Sequence, residues 1–406
     1  MRTGCSPHVL LARCAALLTL LLCGVLGPAL GQDTPGTAPL NPAFLAFQQQ
    51  RSATRSLPAE SYALGEIPAP VCIPPLAASQ RAMRSGSLPT SYDLRTTGKL
   101  TSVKNQNPAG CCWAFATYGS LESYLRPGAT WDFSENNLKN TSGYDMAPDA
   151  GGNMMMSTAY LARWSGPINE TDDPYNPTSG VSPTGLSPVL HVQDVMYLPP
   201  RASATDNDII KQAVMNYGAV YVDFYWDNAC FNAATNAFYN NSTTSTNHAV
   251  CIVGWNDNYA SSNFLSGKTP PGNGAFIIKN SWGASWGESG YFYLSYYDTS
   301  LGQSLASFNN AEAPTNYLHN YQYDPLGWTS MIGYGNNTAW AANVFTAAAN
   351  EQLTAVACYA TAAGASYEVR VYQRPGNRRN AGGHEDRHDD LRRVLHHPAA
   401  KCRHFN

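Results

Sequence analysis

Charge is scarce in this chain. Asp, Glu, Lys and Arg together make up 13% of 406 residues, about half the share usual in soluble globular domains. The 25 Lys and Arg stand against 28 Asp and Glu, a formal net charge of -3. That balance gives no reason to expect nucleic acid or an acidic membrane surface as a partner. Long hydrophobic runs are scarce too. One spans Cys14 to Leu26, and no later segment is long and apolar enough to cross a bilayer. Metal-ligand spacing is also missing. His384, His388, His396, His397 and His404 crowd the C-terminus, but they match no ligand motif well. No metal or organic cofactor is implied.

What is present begins with an export signal. Arg2 and Arg13 supply positive charge, the run to Leu26 is apolar, and Pro28-Ala29-Leu30-Gly31 offers small residues for cleavage near Gly31. A membrane anchor is the bland alternative, disfavoured because the run is short and no stop-transfer pattern follows. Export makes disulfides possible. With Cys5, Cys14 and Cys23 removed, Cys72, Cys111, Cys112, Cys230, Cys251, Cys358 and Cys402 remain. That odd number suits one thiol kept free.

Cys112 carries the chemistry. It lies in Gln106-Asn107-Pro108-Ala109-Gly110-Cys111-Cys112-Trp113-Ala114-Phe115, and far downstream come Asn247-His248-Ala249 and Lys279-Asn280-Ser281-Trp282-Gly283. These supply a thiol, an imidazole to ionise it, an amide to orient the imidazole, and a second amide to receive developing negative charge. That is the minimum set for acyl transfer through a thioester. Apolar residues from Trp113 to Leu125 recur at helical spacing and Pro127-Gly128 ends them. Cys112 is therefore expected at a helix N-terminus, where the helix dipole and a nearby imidazolium would lower its pKa.

The order Gln, Cys, His, Asn, with Trp after both Cys112 and Asn280-Ser281, resembles the papain-like cysteine peptidases. The resemblance covers roughly residues 88 to 300. It implies Cys112 as nucleophile, His248 as its base and later general acid, and Asn280 holding the ring. It also implies Trp282 shielding that bond, and Gln106 with the Cys112 N–H as oxyanion donors. Cys111 occupies a small residue's usual place. Register chooses Cys112, because Trp113 must follow the nucleophile and Gln106 must precede it by six. Gly151 and Gly152 are expected to line the cleft, pairing with an extended peptide as an added strand. Met154, Thr246 and Ala249 are expected to line the main specificity pocket, which a medium-sized apolar side chain would fill. The family's usual bridge cysteines are replaced by Ala109, Asp149 and Thr141, as in prokaryotic relatives.

The implied fold class is α+β, a papain-like two-lobed fold with a helical lobe and a β-barrel-like lobe. Residues 1–31 read as the signal, 32–87 as a propeptide or linker, and 88–309 as the peptidase domain. Ser134 is the expected N-cap of a second helix, Met154 to Trp164 reads as a third, and strands follow at Gly218–Trp226, Ala249–Trp255, Ala275–Lys279 and Tyr291–Tyr297. Residues 310–373 resemble the start of a lectin-like β-sandwich, with strands at Trp340–Phe345, Leu353–Ala360 and Ser366–Tyr372. Residues 374–406 hold 8 of the 25 Lys and Arg and 5 of the 9 His without an alternating pattern. A frame-shifted, disordered tail is expected there, with a genuine solvated basic tail as the alternative.

The function so implied is an exported cysteine endopeptidase made as a zymogen, acting on polypeptides outside the cytoplasm, with cell-surface carbohydrate as a further partner. Two alternatives stay open. One is a surface adhesion or sugar-binding protein with an accessory peptidase unit. The other is an acyltransferase or transpeptidase on the same site.

Overall fold

The computed structural model describes residues 7–15, 34–52, 63–77, 87–336, 338–363, 365–373, 394–395 and 401–405. The chain divides into two compact units, one of residues 39–330 and one of residues 1–38 with 331–405.

The larger unit sets a helix bundle beside a sheet. Cys112–Leu125 is the central helix, buried from Cys112 through Ser123. It packs on the strands His248–Asn256 and Leu305–Glu312. A helix wrapped on all sides needs few polar residues, which is how an almost uncharged segment remains helical. Ser134 caps Glu135–Asn140 by accepting from the Asn137 N–H, as expected. Met154–Ala162 is capped by Asn153, whose side chain accepts from the N–H groups of Met155 and Met156. Each cap satisfies donors that a helix start would otherwise leave unpaired.

The sheet of this unit runs in the order His191–Leu198, Leu305–Glu312, Val220–Phe224, His248–Asn256, Ala275–Lys279, Tyr291–Ser295, Ala237–Phe238, Phe231–Asn232, with Ser91–Asp93 pairing on His248–Asn256. It is open and does not close into the expected barrel. Its far edge ends in two-residue strands, too short to carry a closing ladder. Val220–Phe224 and Ala275–Lys279 are buried at every position, as in strands covered on both faces. The expected strands appear within a few residues of their predicted ends. The strands His191–Leu198 and Leu305–Glu312 and the helix Asp208–Tyr217 were not expected. In the first, Gln193 and Asp194 interrupt the apolar pattern.

In the smaller unit the strands Thr338–Thr346, Ala355–Tyr359 and Ser366–Gln373 lie close to their expected places. Pro7–Ala15, within the expected signal, pairs antiparallel with Thr338–Thr346 and with Ser366–Gln373. Two short strands are described in the tail. Val394–Leu395 pairs with Ser366–Gln373, and Lys401–Phe405 runs parallel to Ala355–Tyr359. The rest of the expected disordered tail, and most of the expected signal, lie outside the described residues.

Candidate active site

Cys112 opens the central helix and is fully buried. His248 opens the strand His248–Asn256, and Asn280 follows the strand Ala275–Lys279. Antiparallel pairing of these two strands brings His248 and Asn280 to one end of the sheet. His248 Nε2 and Asn280 Oδ1 are 2.9 Å apart. The amide oxygen can only accept, so Nε2 carries the hydrogen and Nδ1 holds the free lone pair. His248 Nδ1 is buried without a hydrogen-bond partner. A buried base with an open nitrogen costs free energy unless another group uses it. Trp282 stacks on the imidazole with centroids 4.7 Å apart and planes 15° off parallel, excluding water from the His248–Asn280 bond.

Gln106 is held from both ends. Its Oε1 accepts from Ser281 Oγ at 2.7 Å, and its backbone N–H donates to the Ser281 carbonyl at 2.8 Å. The side-chain amide is thereby oriented with Nε2 outward. That nitrogen donates to the carbonyl oxygens of Leu64 and Ala109, both at 3.0 Å. The donor expected to serve a reacting carbonyl is thus already serving one.

Leu64 belongs to the expected propeptide, and its neighbours fill the cleft. Trp282 Nε1 donates to the Ala63 carbonyl at 3.1 Å, and the Ala63 N–H donates to Asn107 Oδ1 at 3.0 Å. The N–H groups of Gly65 and Glu66 donate to the Asn247 carbonyl, Gly152 N–H to the Gly65 carbonyl, and Ile67 N–H to the Gly152 carbonyl. Glu66 and Gly152 form a parallel bridge. Residues 63–67 therefore lie along the cleft as an added strand. The close fit depends on glycine. A Cβ on Gly65 would meet the Gly110 carbonyl oxygen at 2.2 Å, and one on Gly152 would meet the Trp113 indole at 2.3 Å.

This cover sets the electrostatics. Burial, and then the Glu66 carboxyl, hold the Cys112 thiol well above its ordinary range. Burial pushes His248 down to about 4, against the opposing bond from Asn280. The expected lowering of the Cys112 pKa is not found in this form, because desolvation outweighs the helix dipole when no water reaches the sulfur. The Cys112 Sγ accepts from the Ala249 N–H at 3.2 Å. Both shifts favour the neutral thiol and the neutral imidazole.

Cys111 is turned away. Its Sγ lies 3.3 Å from Tyr175 Oη, it packs with Ala109 and Phe115, and burial pushes its thiol up to about 12. Cys72, Cys111, Cys112, Cys230 and Cys251 are free thiols.

The structure thus gathers Cys112, His248, Asn280, Gln106, Trp282, Gly151, Gly152 and Ala249 around residues 63–67. Met154 is buried at its helix start, and Thr246 bonds to Asp223. Sequence reasoning missed Ser281, which orients Gln106, and Asn247, whose carbonyl takes two N–H groups of the covering strand. Both sit beside residues already singled out, so adjacency was the available signal. It also missed Tyr221 and Asp223, which read as ordinary strand positions.

Residues 88–307 match the papain family cysteine protease model, and residues 320–389 match the lectin like domain. A cysteine protease of Blomia tropicalis is 30% identical over 231 residues, covering 53% of this chain and 64% of that protein. Cathepsin K of Mus musculus is 30% identical over 217 residues, covering 52% and 60%. The chain spans less than two thirds of the length of these relatives. Among solved structures, the cysteine protease and lectin-like domains of Cwp84, a surface layer associated protein of Clostridium difficile, are similar at TM-score 0.59 and 27% identity, covering 71% of this chain and 64% of that one. Cwp84 after propeptide cleavage is similar at TM-score 0.50 and 31% identity, covering 55% and 58%.

Proposed function

The chain belongs to the papain family of cysteine proteases, and from that membership we propose that it is a cysteine endopeptidase held as a zymogen by residues 63–67. One observation carries this reading: the Leu64 carbonyl rests on Gln106 Nε2 at 3.0 Å, inside a cleft that also holds Cys112, His248 and Asn280. A peptide carbonyl already occupies the position that an oxyanion would need.

With the segment gone, water reaches the sulfur and the burial penalty falls. His248 Nδ1 takes the Cys112 proton, and the thiolate attacks the peptide carbonyl. The C–O π electrons move to oxygen, where Gln106 Nε2 stabilises the charge. Collapse breaks the C–N bond, and the imidazolium gives its proton to the leaving amine. Water, deprotonated by the same imidazole, then attacks the thioester and releases the acid and the thiol. Asn280 keeps the ring in the required tautomer throughout, and transfers no proton.

Export and a surface location rest on the apolar N-terminal run and on the likeness to a surface layer associated protein. Cell-surface carbohydrate as a partner rests on the lectin-like match alone. In the peptidase reading that module places the enzyme beside its substrate. In the adhesion reading the peptidase unit is the accessory. Transpeptidation would differ only in the acceptor, an amine in place of water.

The test is labelling with an epoxysuccinyl peptide, followed by mapping of the modified residue. Modification of Cys112 and loss of peptide hydrolysis in Cys112→Ala are expected, with most activity kept in Cys111→Ala. Modification of Cys111, or hydrolysis that survives Cys112→Ala, would overturn the assignment. A ligated product on adding an amine would favour the acyltransferase alternative.

A further inference from the structure

Glu66 is the residue of the covering strand that sits least comfortably. Its side chain is buried, at 7% exposure, in register with Gly152. It enters a recess of the strand Val220–Phe224, where Tyr221 and Asp223 lie two residues apart and so share a face. Tyr221 Oη donates to Glu66 Oε2 at 2.8 Å. Asp223, 2% exposed, receives hydrogen bonds at its carboxyl from Ser304 and Thr246. The groups acting on Glu66 are thus an acid, a phenol and the Cys112 thiol, and none is a cation. Burial first, and then Asp223, hold Glu66 well above the usual carboxylate range, while burial pushes Asp223 up to about 7. Two carboxyls in one dry recess keep their place by holding protons.

That arrangement suits a visitor meant to leave and fits a permanent ligand poorly. A resident side chain that satisfied Asp223 would bring a positive charge. Building on the peptidase reading, we propose that the recess lined by Tyr221, Asp223 and Thr246 is the specificity subsite of the uncovered enzyme, and that it receives a Lys or Arg side chain of the substrate. The side chain opposite Gly152 in any strand laid along this cleft points into the same recess, because the backbone pairing fixes its register. A Lys or Arg there places its charge against the Asp223 carboxylate and its methylenes between Tyr221 and the apolar walls. Met154 and Ala249, expected from sequence to line that subsite, would alone favour a medium-sized apolar residue. The buried acid at the base reverses that preference.

The same geometry makes the cover pH-sensitive. The groups facing Glu66 are Asp223 and Tyr221 from the strand and Cys112 from the helix, and none gains positive charge as pH changes. Carboxyl pKa values raised in the docked state mean that docking takes up protons. Docking is therefore strongest in acid and weakens as pH rises through the raised Glu66 pKa.

Two experiments test this on the full chain. The first uses enzyme titrated with the epoxysuccinyl probe, and fluorogenic peptides carrying Lys, Arg, Leu or Phe at each of the two positions before the scissile bond. At one position kcat/KM should favour Lys or Arg over Leu, and Asp223→Asn should cut that ratio by about tenfold or more. Preference for Leu or Phe at both positions, or an unchanged ratio in Asp223→Asn, overturns the inference. Failure of the probe to react with Cys112 under any condition would instead overturn the peptidase reading. The second experiment needs no catalysis. In a Cys112→Ala background, hydrogen exchange at the Glu66 and Ile67 amides should slow by about fivefold or more at pH 8 when Glu66→Lys places a cation against Asp223. Adding Asp223→Asn should abolish the gain. Faster exchange in Glu66→Lys, or a gain that survives Asp223→Asn, overturns the inference even if no substrate is ever cleaved.

Discussion

Two groups of buried acids in the peptidase unit are neutralised by different means. Glu122 and Glu135, each about 1% exposed, share Lys104, whose Nζ lies 3.2 Å and 2.8 Å from them. Thr101 Oγ1 and the Phe133 N–H also donate to Glu122. Glu66 and Asp223 have a phenol, hydroxyls and each other. Burial would lower Lys104, but Glu135 and Glu122 outweigh it and hold the ammonium above its ordinary range. Burial pushes Glu135 up to about 8 against the opposing pull of Lys104, but the 2.8 Å contact between them favours the ion pair, whose Lys104 charge is lost only in strong alkali. Glu66, raised by burial and by the charge of Asp223, loses its contribution as pH rises. One group is therefore architecture, and the other is a contact that can be released. The chain tells them apart by whether a cation shares the cavity.

Removing the shared cation should break the first group most severely. Lys104→Met removes the direct ion-pair partner of two buried carboxylates, a loss of about 3–5 kcal/mol, read as a fall in unfolding free energy in urea. A loss under about 1 kcal/mol would show that these acids also rest on protons, and that the two groups are alike.

Gln106→Ala reaches the same cleft through a neutral donor. It should lower kcat by about ten- to a thousandfold and loosen the covering strand, since one amide serves both carbonyls. A higher KM with unchanged kcat would remove Gln106 from the oxyanion role.

The pH contrast is smaller and more specific. Between pH 5 and pH 8 exchange at the Glu66 amide should quicken by about tenfold, with the intrinsic exchange rate corrected for. Glu66→Gln should flatten that rise, and a slope unchanged by it would assign the effect elsewhere. Cys111→Ala is expected to have the smallest effect, about 1 kcal/mol of stability or less, because its thiol contacts only Tyr175 and a small apolar group.

Much of the site was legible because its chemistry depends on residue types at a fixed order. Cys112 with Trp113, His248 with Ala249, and Asn280 with Trp282 stand in local contexts that few other demands would produce. The helix capped by Ser134, the helix starting at Met154, and the strands Val220–Phe224 and Ala275–Lys279 follow from short-range signals of capping and apolar runs. Asp223 was not legible. A polar residue inside an apolar strand reads as a defect until the residue facing it is known, and Glu66 lies 157 positions away in the chain.

The sequence by itself singled out Cys112, His248, Asn280 and Gln106 and an α+β fold, since each rests on neighbours within a few residues. Only the tertiary structure decided that the sheet stays open, that residues 63–67 lie in the cleft with the Leu64 carbonyl on Gln106, and that Glu66 meets Tyr221. It also decided the surroundings of Cys112 and His248. Helix position favours a thiolate at Cys112, but the covering strand removes the water that would solvate it. Desolvation depends on what lies above a residue in space, and no pattern along the chain encodes that.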